Sequence, residues 1–154
     1  MSRPGEGCPG CGPGEYRTAY LLYAPAENPA GWHLDPAAFG AALEAAFAEV
    51  RHETRQGRQS RLSFWAMTEE GIEFTGFASG EGRDTVLLDE NTADEAAVFI
   101  AWLRDAFLPA PDLFRFSSEP AVEKGIETDW HMSANGDRSH IAEELKSHVR
   151  AVVT

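Results

Sequence analysis

Apolar residues recur along this chain with two periods, and the places where one gives way to the other set the order of elements. Both occur back to back between Thr85 and Leu108 (TVLLDENTADEAAVFIAWLRDAFL). Val86-Leu87-Leu88 is a run of the length of a buried strand. Thr92, with Glu95 three residues on, makes a capping box in which each side chain satisfies a backbone N–H that a helix's first turn leaves unpaired. Ala96, Phe99, Ile100, Leu103, Ala106 and Phe107 then fall at helical spacing, opposite Asp94, Arg104 and Asp105, and Pro109 and Pro111 stop the helix.

The remaining segments divide in the same way. Tyr16–Tyr23 (YRTAYLLY) is a strand by its aromatic and aliphatic content, and 24–34, with Pro25, Pro29 and Gly31, is a loop. Asp35-Pro36 opens a helix, Asp as N-cap and Pro at the first helical position. Phe39, Leu43, Ala46, Phe47 and Val50 form its buried stripe, and Gln56-Gly57 ends it. Leu62, Phe64 and Ala66 alternate with Ser63, Trp65 and Met67; after Glu69-Glu70-Gly71, Ile72, Phe74 and Ala78 alternate with Glu73, Thr75 and Phe77. That is a hairpin, and Gly76 within it marks a bulge or a close backbone approach. Leu113–Phe116 is a short strand, Ile126, Thr128, Trp130 and Met132 alternate as another, and Ser139 caps a last helix buried at Ile141, Leu145, Val149 and Val152.

The order is β-α-β-β-β-α-β-β-α. Strands in runs, without strict βαβ alternation, define an α+β domain: a mainly antiparallel sheet of about five to six strands packed with two to three helices. At 154 residues the chain fits one such domain, 16–154, behind a Gly/Pro-rich tail, 1–15, that reads as flexible.

Charge narrows the classes of partner. A net charge of −12 disfavours nucleic acid, whose backbone demands clustered Lys and Arg. No apolar run approaches the ~20 residues of a membrane span, and the first residues lack the apolar stretch of a secretory signal, so a cytoplasmic location is expected. Lysine occurs only at 124 and 146 beside many Arg and Ala, the coding bias of a GC-rich, bacterial genome. Residues 69–105 hold ten acids against two arginines, many of the acids in turns where they gather at one edge of the sheet. The segment from His52 to Arg61 is a short basic patch that holds an anion or complements the end of the first helix.

Candidate chemistry is sparse. Cys8-Pro9-Gly10-Cys11-Gly12 resembles one knuckle of a zinc ribbon, which implies zinc on Cys8 and Cys11. The second knuckle is missing, so the competing reading is an inert tail. His140, Glu144 and His148 stand at i, i+4 and i+8 on the last helix with His131 nearby, the raw material of a metal or acid–base site or simply half-buried histidines. There is no nucleophile elbow, Walker loop or GxGxxG.

Large apolar groups on both faces of the hairpin, Trp65 and Phe77 opposite Phe64 and Phe74, imply either helices on both sides or one exposed apolar patch. The expectation is a small acidic protein that sequesters or inhibits a basic protein partner. Its contact residues are Trp65, Glu69, Glu70, Glu73, Phe77, Asp84, Asp89 and Glu90. In size, charge and absent catalytic motifs the chain is similar to immunity proteins and antitoxins that neutralise nuclease toxins. The alternatives are a metal-dependent or small-molecule enzyme using His131, His140, Glu144 and His148, or an accessory subunit docked through its zinc-knuckle tail.

Overall fold

The computed structural model describes residues 16–55, 61–80, 82–126, 130–131 and 136–153. In chain order the elements are β1 (Thr18–Tyr23), α1 (Pro36–Ala46), β2 (Glu49–Arg55), β3 (Arg61–Met67), β4 (Glu73–Ser79) and β5 (Thr85–Asn91). Next come α2 (Ala93–Trp102), continued by a π-helical turn (Leu103–Phe107), then β6 (Arg115–Ser118), α3 (Glu119–Glu123), β7 (Trp130–His131) and α4 (Arg138–Val153). The architecture is α+β. All seven strands pair antiparallel in one sheet, in the order β2-β3-β4-β5-β1-β6-β7. The N-terminal tail, with Cys8 and Cys11, lies outside the described residues. Among the described residues no helix is long and apolar enough to cross a membrane.

Helices α1, α2 and α4 cover one face. On it Tyr20, Leu22, Leu62, Phe64, Phe74, Ala78, Val86, Leu88 and Phe116 are buried. Phe99 of α2 stacks on Phe64 (5.8 Å between centroids) and on Phe47 (5.9 Å) and meets Phe74 at 5.2 Å. Each such pair adds about 0.5–1.5 kcal/mol beyond its area. The Thr92 capping box forms in full, and Asp35 caps α1 through the Ala38 N–H. Gly76 is the close approach its position implies: a Cβ there would stand 1.7 Å from the Leu87 carbonyl oxygen.

Several expectations are corrected. The first helix ends at Ala46, and residues 49–55, read as its continuation towards Gln56-Gly57, form β2 instead. Phe47 turns to an extended conformation, and the Ala48 N–H bonds to the Met67 carbonyl, beginning the ladder with β3. Phe47 and Val50 fit helical spacing, but β3 needs a neighbour, and tertiary pairing overrides the local pattern. Of the 52–61 patch, residues 52–55 lie in β2 and Arg61 in β3, while 56–60 lie outside the described residues; His52 reaches α1 through Glu44, 2.6 Å from its Nε2. Further on, Ala106 is exposed and Arg104 is buried at 4%. The Leu108 N–H bonds to Leu103 O, five residues back, and this wider turn rotates the end of the helix off the 3.6-residue stripe. Asp137, and not Ser139, caps α4: its Oδ1 accepts the His140 N–H at 2.9 Å. The short helix α3 was not expected, although Ser118 at its N-cap position and Pro120 in its first turn are start signals. Of the strand read over 126–132, Trp130 and His131 are strand, while 127–129 and 132 lie outside the described residues.

Candidate interaction face

Strand residues alternate between faces, so the partners of the buried set point away from the helices. Register lines Ser63, Phe77, Leu87, Leu21 and Ser117 into one row across five strands. Two residues along, the row is Arg61, Ser79, Thr85, Tyr23 and Arg115; two residues the other way stand Arg51, Trp65 and Thr75, and then Glu49, Met67 and Glu73. Among the described elements no helix lies over this face. Only α3 and the turn after it border the face, where Val122 of α3, Gly125 and Ile126 join Leu21 and the buried Tyr23 and Ser117 around a shallow pocket. Of the two possibilities for the hairpin, an open face is the one found.

The face is graded in charge. At one end arginines lie over aromatic rings, Arg61 on Phe77 (4.6 Å to the centroid) and Arg83 on Tyr23 (4.3 Å). Arg51 stacks likewise on Trp65 (5.0 Å), further along. Each contact is worth about 0.5–1 kcal/mol at an exposed site and holds the guanidinium flat over apolar surface. At the other end Glu73, Asp89, Glu90 and Glu95 line a cleft with Arg17, Gly71 and Thr75. Trp65 ties the aromatic and acidic parts together, donating its indole N–H to Glu73 Oε1 at 3.3 Å.

A β-bulge makes the acidic end. Tyr20 pairs with Leu88 but Thr18 with Asn91, so β5 carries one residue more than β1 in that step. Without the extra residue strict alternation would turn Glu90 into the core. With it, Asp89 and Glu90 are both exposed and Asn91 turns inward. The Asn91 amide donates to Glu73 O at 3.0 Å and to Glu95 Oε1 at 3.1 Å. Glu95 also accepts the Thr92 N–H at 3.2 Å and both terminal nitrogens of Arg17 at 3.1 Å. Burial alone would push the Glu95 carboxyl up; these hydrogen bonds outweigh it and hold the group below the usual carboxylate range.

The eight contact residues expected from sequence divide four ways. Glu73, Asp89 and Glu90 meet in the acidic cleft, and Trp65 and Phe77 stand half-buried on the open face. Glu69 and Glu70 are exposed but line a separate groove with Phe47, Trp102 and Arg138. Asp84 is corrected: it is 2% exposed and unavailable to a partner. It clamps the 24–34 loop instead, accepting the Trp32 N–H at 2.9 Å while its own N–H and C=O bond to Pro29 and Ala24. Burial raises its carboxyl above the usual range, against the opposing backbone hydrogen bonds from Trp32, Leu34 and His33. Arg17, Thr75 and Glu95, and the arginines over the rings, were not among the expected residues. Only the strand order brings them in.

The histidines form no metal cluster: among the described residues no three His, Cys, Asp or Glu side chains gather to hold an ion. His140 pairs with Glu144 at 3.3 Å. His148 is buried, its Nε2 2.7 Å from Ser118 Oγ, its ring edge-on to Trp130 at 4.3 Å and Phe116 at 5.1 Å. Its Nδ1 has no hydrogen-bond partner among the described residues, and burial pushes its pKa down to about 4, so it is neutral at pH 7. Ser118 is 0% exposed, so the pair joins α4 to β6 and offers no substrate a nucleophile.

No protein-family model, no curated protein and no solved structure matches the chain.

Proposed function

We propose that this is a binding protein that captures a basic protein through the acidic end of its open sheet face, and so inhibits or sequesters it. The observation that carries the reading is the cleft where Glu73, Asp89 and Glu90 converge beside Trp65, a half-buried aromatic anchor with carboxylates at its rim. Such an arrangement suits a hot spot: an apolar ring for a partner's side chain, and charges that steer a cationic surface towards it. Among the described residues these three acids have no cation of their own in contact, and Arg17 is held by Glu95.

The test is capture from the native host's lysate on immobilised wild type and on the triple variant Glu73→Lys/Asp89→Lys/Glu90→Lys, with retained proteins identified by mass spectrometry. The expected result is one basic protein held by the wild type, weakened by salt and lost from the variant. The same proteins held equally by both would remove the acidic end from the reading.

A further inference from the structure

We propose that this chain forms a two-fold dimer edge to edge, β2 pairing antiparallel with β2 of a second copy so that the two sheets run on as one. This goes beyond the capture of a basic protein and does not depend on it. β2 is an edge of the sheet, with β3 on one side only. The hydrogen bonds of β3 show which groups of β2 face outward. Met67 O accepts the Ala48 N–H from the β2 side, and the next residue, Thr68, donates its N–H to Ile72 O on the β4 side. In an antiparallel ladder this direction alternates residue by residue, so Arg61, Ser63, Trp65 and Met67 bond to β2. Their partners there are Arg55, Glu53, Arg51 and Glu49. Val50, His52 and Thr54 therefore turn their N–H and C=O groups away from the sheet, and among the described residues no hydrogen bond uses them. An edge in this state is a template for another strand.

Charge selects the occupant and the register. A two-fold axis through His52 sets all 7 residues of β2 against their copies: His52 on His52, Val50 on Thr54, and Arg51 on Glu53 once on each side. The outward-facing residues then stand opposite one another, and each such pair exchanges two hydrogen bonds. Arg51 and Glu53 fall in the intervening pairs, where side chains stand closest. Both are exposed. Arg51 lies flat on Trp65, which leaves the N–H edge of its guanidinium for a carboxylate, and Glu53 has no cation in contact among the described residues. Moving the axis to residue 51 would set Arg51 on itself and Glu49 on Glu53; moving it to 53 would set Glu53 on itself. Like charges directly opposite repel and unlike charges attract. Charges on an edge strand ordinarily discourage pairing; these discourage the neighbouring registers and leave one open to a second copy. The helix layer fits the same axis. α1 packs over β2 and β3. With strands roughly 4.8 Å apart and the axis half a spacing beyond β2, the two copies of α1 pass roughly 10 Å apart, the distance of packed helices. Gly40 and Glu44 meet His52, so the side of α1 towards the edge also carries Ala37 and Ala41, small enough for that approach. The net charge of −12 repels a second copy at a distance. At ~0.15 M salt that field is screened beyond about 8 Å, while pairs in contact persist.

Sedimentation equilibrium of the full chain, without any partner, tests it. The interface is one strand and one helix wide, at the small end for specific association, so wild type is expected to reach twice the chain mass in the micromolar range and to dissociate on dilution. Arg51→Glu and Glu53→Arg each set like charges opposite in both pairs, and each variant alone is expected to dimerise at least ~10-fold more weakly. Mixed in equal amounts the two are complementary, and the double variant Arg51→Glu/Glu53→Arg is complementary to itself. Both are expected to recover the dimer mass. Thr54→Pro removes an outward N–H and leaves the ladder with β3 intact, which an edge strand tolerates, and it is expected to stay monomeric. Circular dichroism checks that each variant is folded; should the proline variant not fold, the charge variants carry the test. A wild type that stays monomeric from micromolar to submillimolar concentration overturns the proposal. So does a dimer indifferent to the single reversals, or a mixture and a double variant that both remain monomeric.

Discussion

The two faces of the sheet are made by alternate residues of the same strands, yet they meet opposite conditions. On β4, Phe74 is fully buried against Phe47 and Phe99, and three residues on Phe77 lies half-exposed under a single guanidinium. On β5, Leu88 is buried and Leu87 is not. The covered face is closed by aromatic stacking and by the α2–α4 layer; the open face holds its rings with arginines that water can still reach. Apolar content therefore does not separate residues that hold the fold from residues that are free to meet a partner. The neighbour across the face does.

The sharpest way to test that contrast uses one strand and one residue type. Phe74→Ala is expected to cost about 3–5 kcal/mol, because it leaves a cavity among packed rings. Phe77→Ala is expected to cost less than about 1.5 kcal/mol, since water fills the space and little packing is lost. Urea unfolding of both gives the difference directly, and equal losses would mean that the open face is structural.

Acid offers a second probe of the covered face. His148 has a folded pKa of about 4 against an ordinary 6.5, so the unfolded chain takes up its proton first as pH falls. Its contribution to stability is complete above about pH 6.5 and is lost progressively down to pH 4, roughly 3 kcal/mol in all. The stability of His148→Gln should fall less steeply over that window. Parallel curves would assign the acid sensitivity to other groups. The smallest effect belongs to the open face: Arg61→Ala should change stability by no more than about 1 kcal/mol in the same urea experiment, the worth of one exposed cation–π contact. A loss of several kcal/mol would show that the guanidinium supports the sheet.

What could be read from sequence was what is written locally. The Thr92/Glu95 box, the Asp35-Pro36 start and the alternation from Leu62 to Ala78 depend on neighbours a few residues apart, and each appears where expected. Edge strand β2 escaped because nearly all of it is exposed, so it has no alternation, while Phe47 and Val50 happen to sit at helical spacing. The π-helical turn escaped because no residue announces a five-residue hydrogen bond. For the interaction face, single acids were visible but their grouping was not. Glu73 meets Asp89 and Glu90 only because β4 pairs with β5, and Glu90 stays outside only because β5 bulges against Ala19. Asp84 looked like one more surface acid because nothing in its neighbours shows that the 24–34 loop folds over it.

The strand order also has a consequence for the chain's time course on the ribosome. β2 to β5 form a meander in which each strand comes directly after its partner, so they can zip up as they emerge. β1 leaves first but sits between β5 and β6, and Tyr20 must wait for both Leu88 and Ser118 to be synthesised. Until β5 is made the apolar Ala19–Tyr23 segment has no neighbour in its own chain, its second edge stays open until β6 follows, and these non-local pairings close last. Nascent chains paused before residue 85 therefore carry an unpaired apolar strand, the segment a holding chaperone would bind, and chains paused between 92 and 115 carry it with one edge still open.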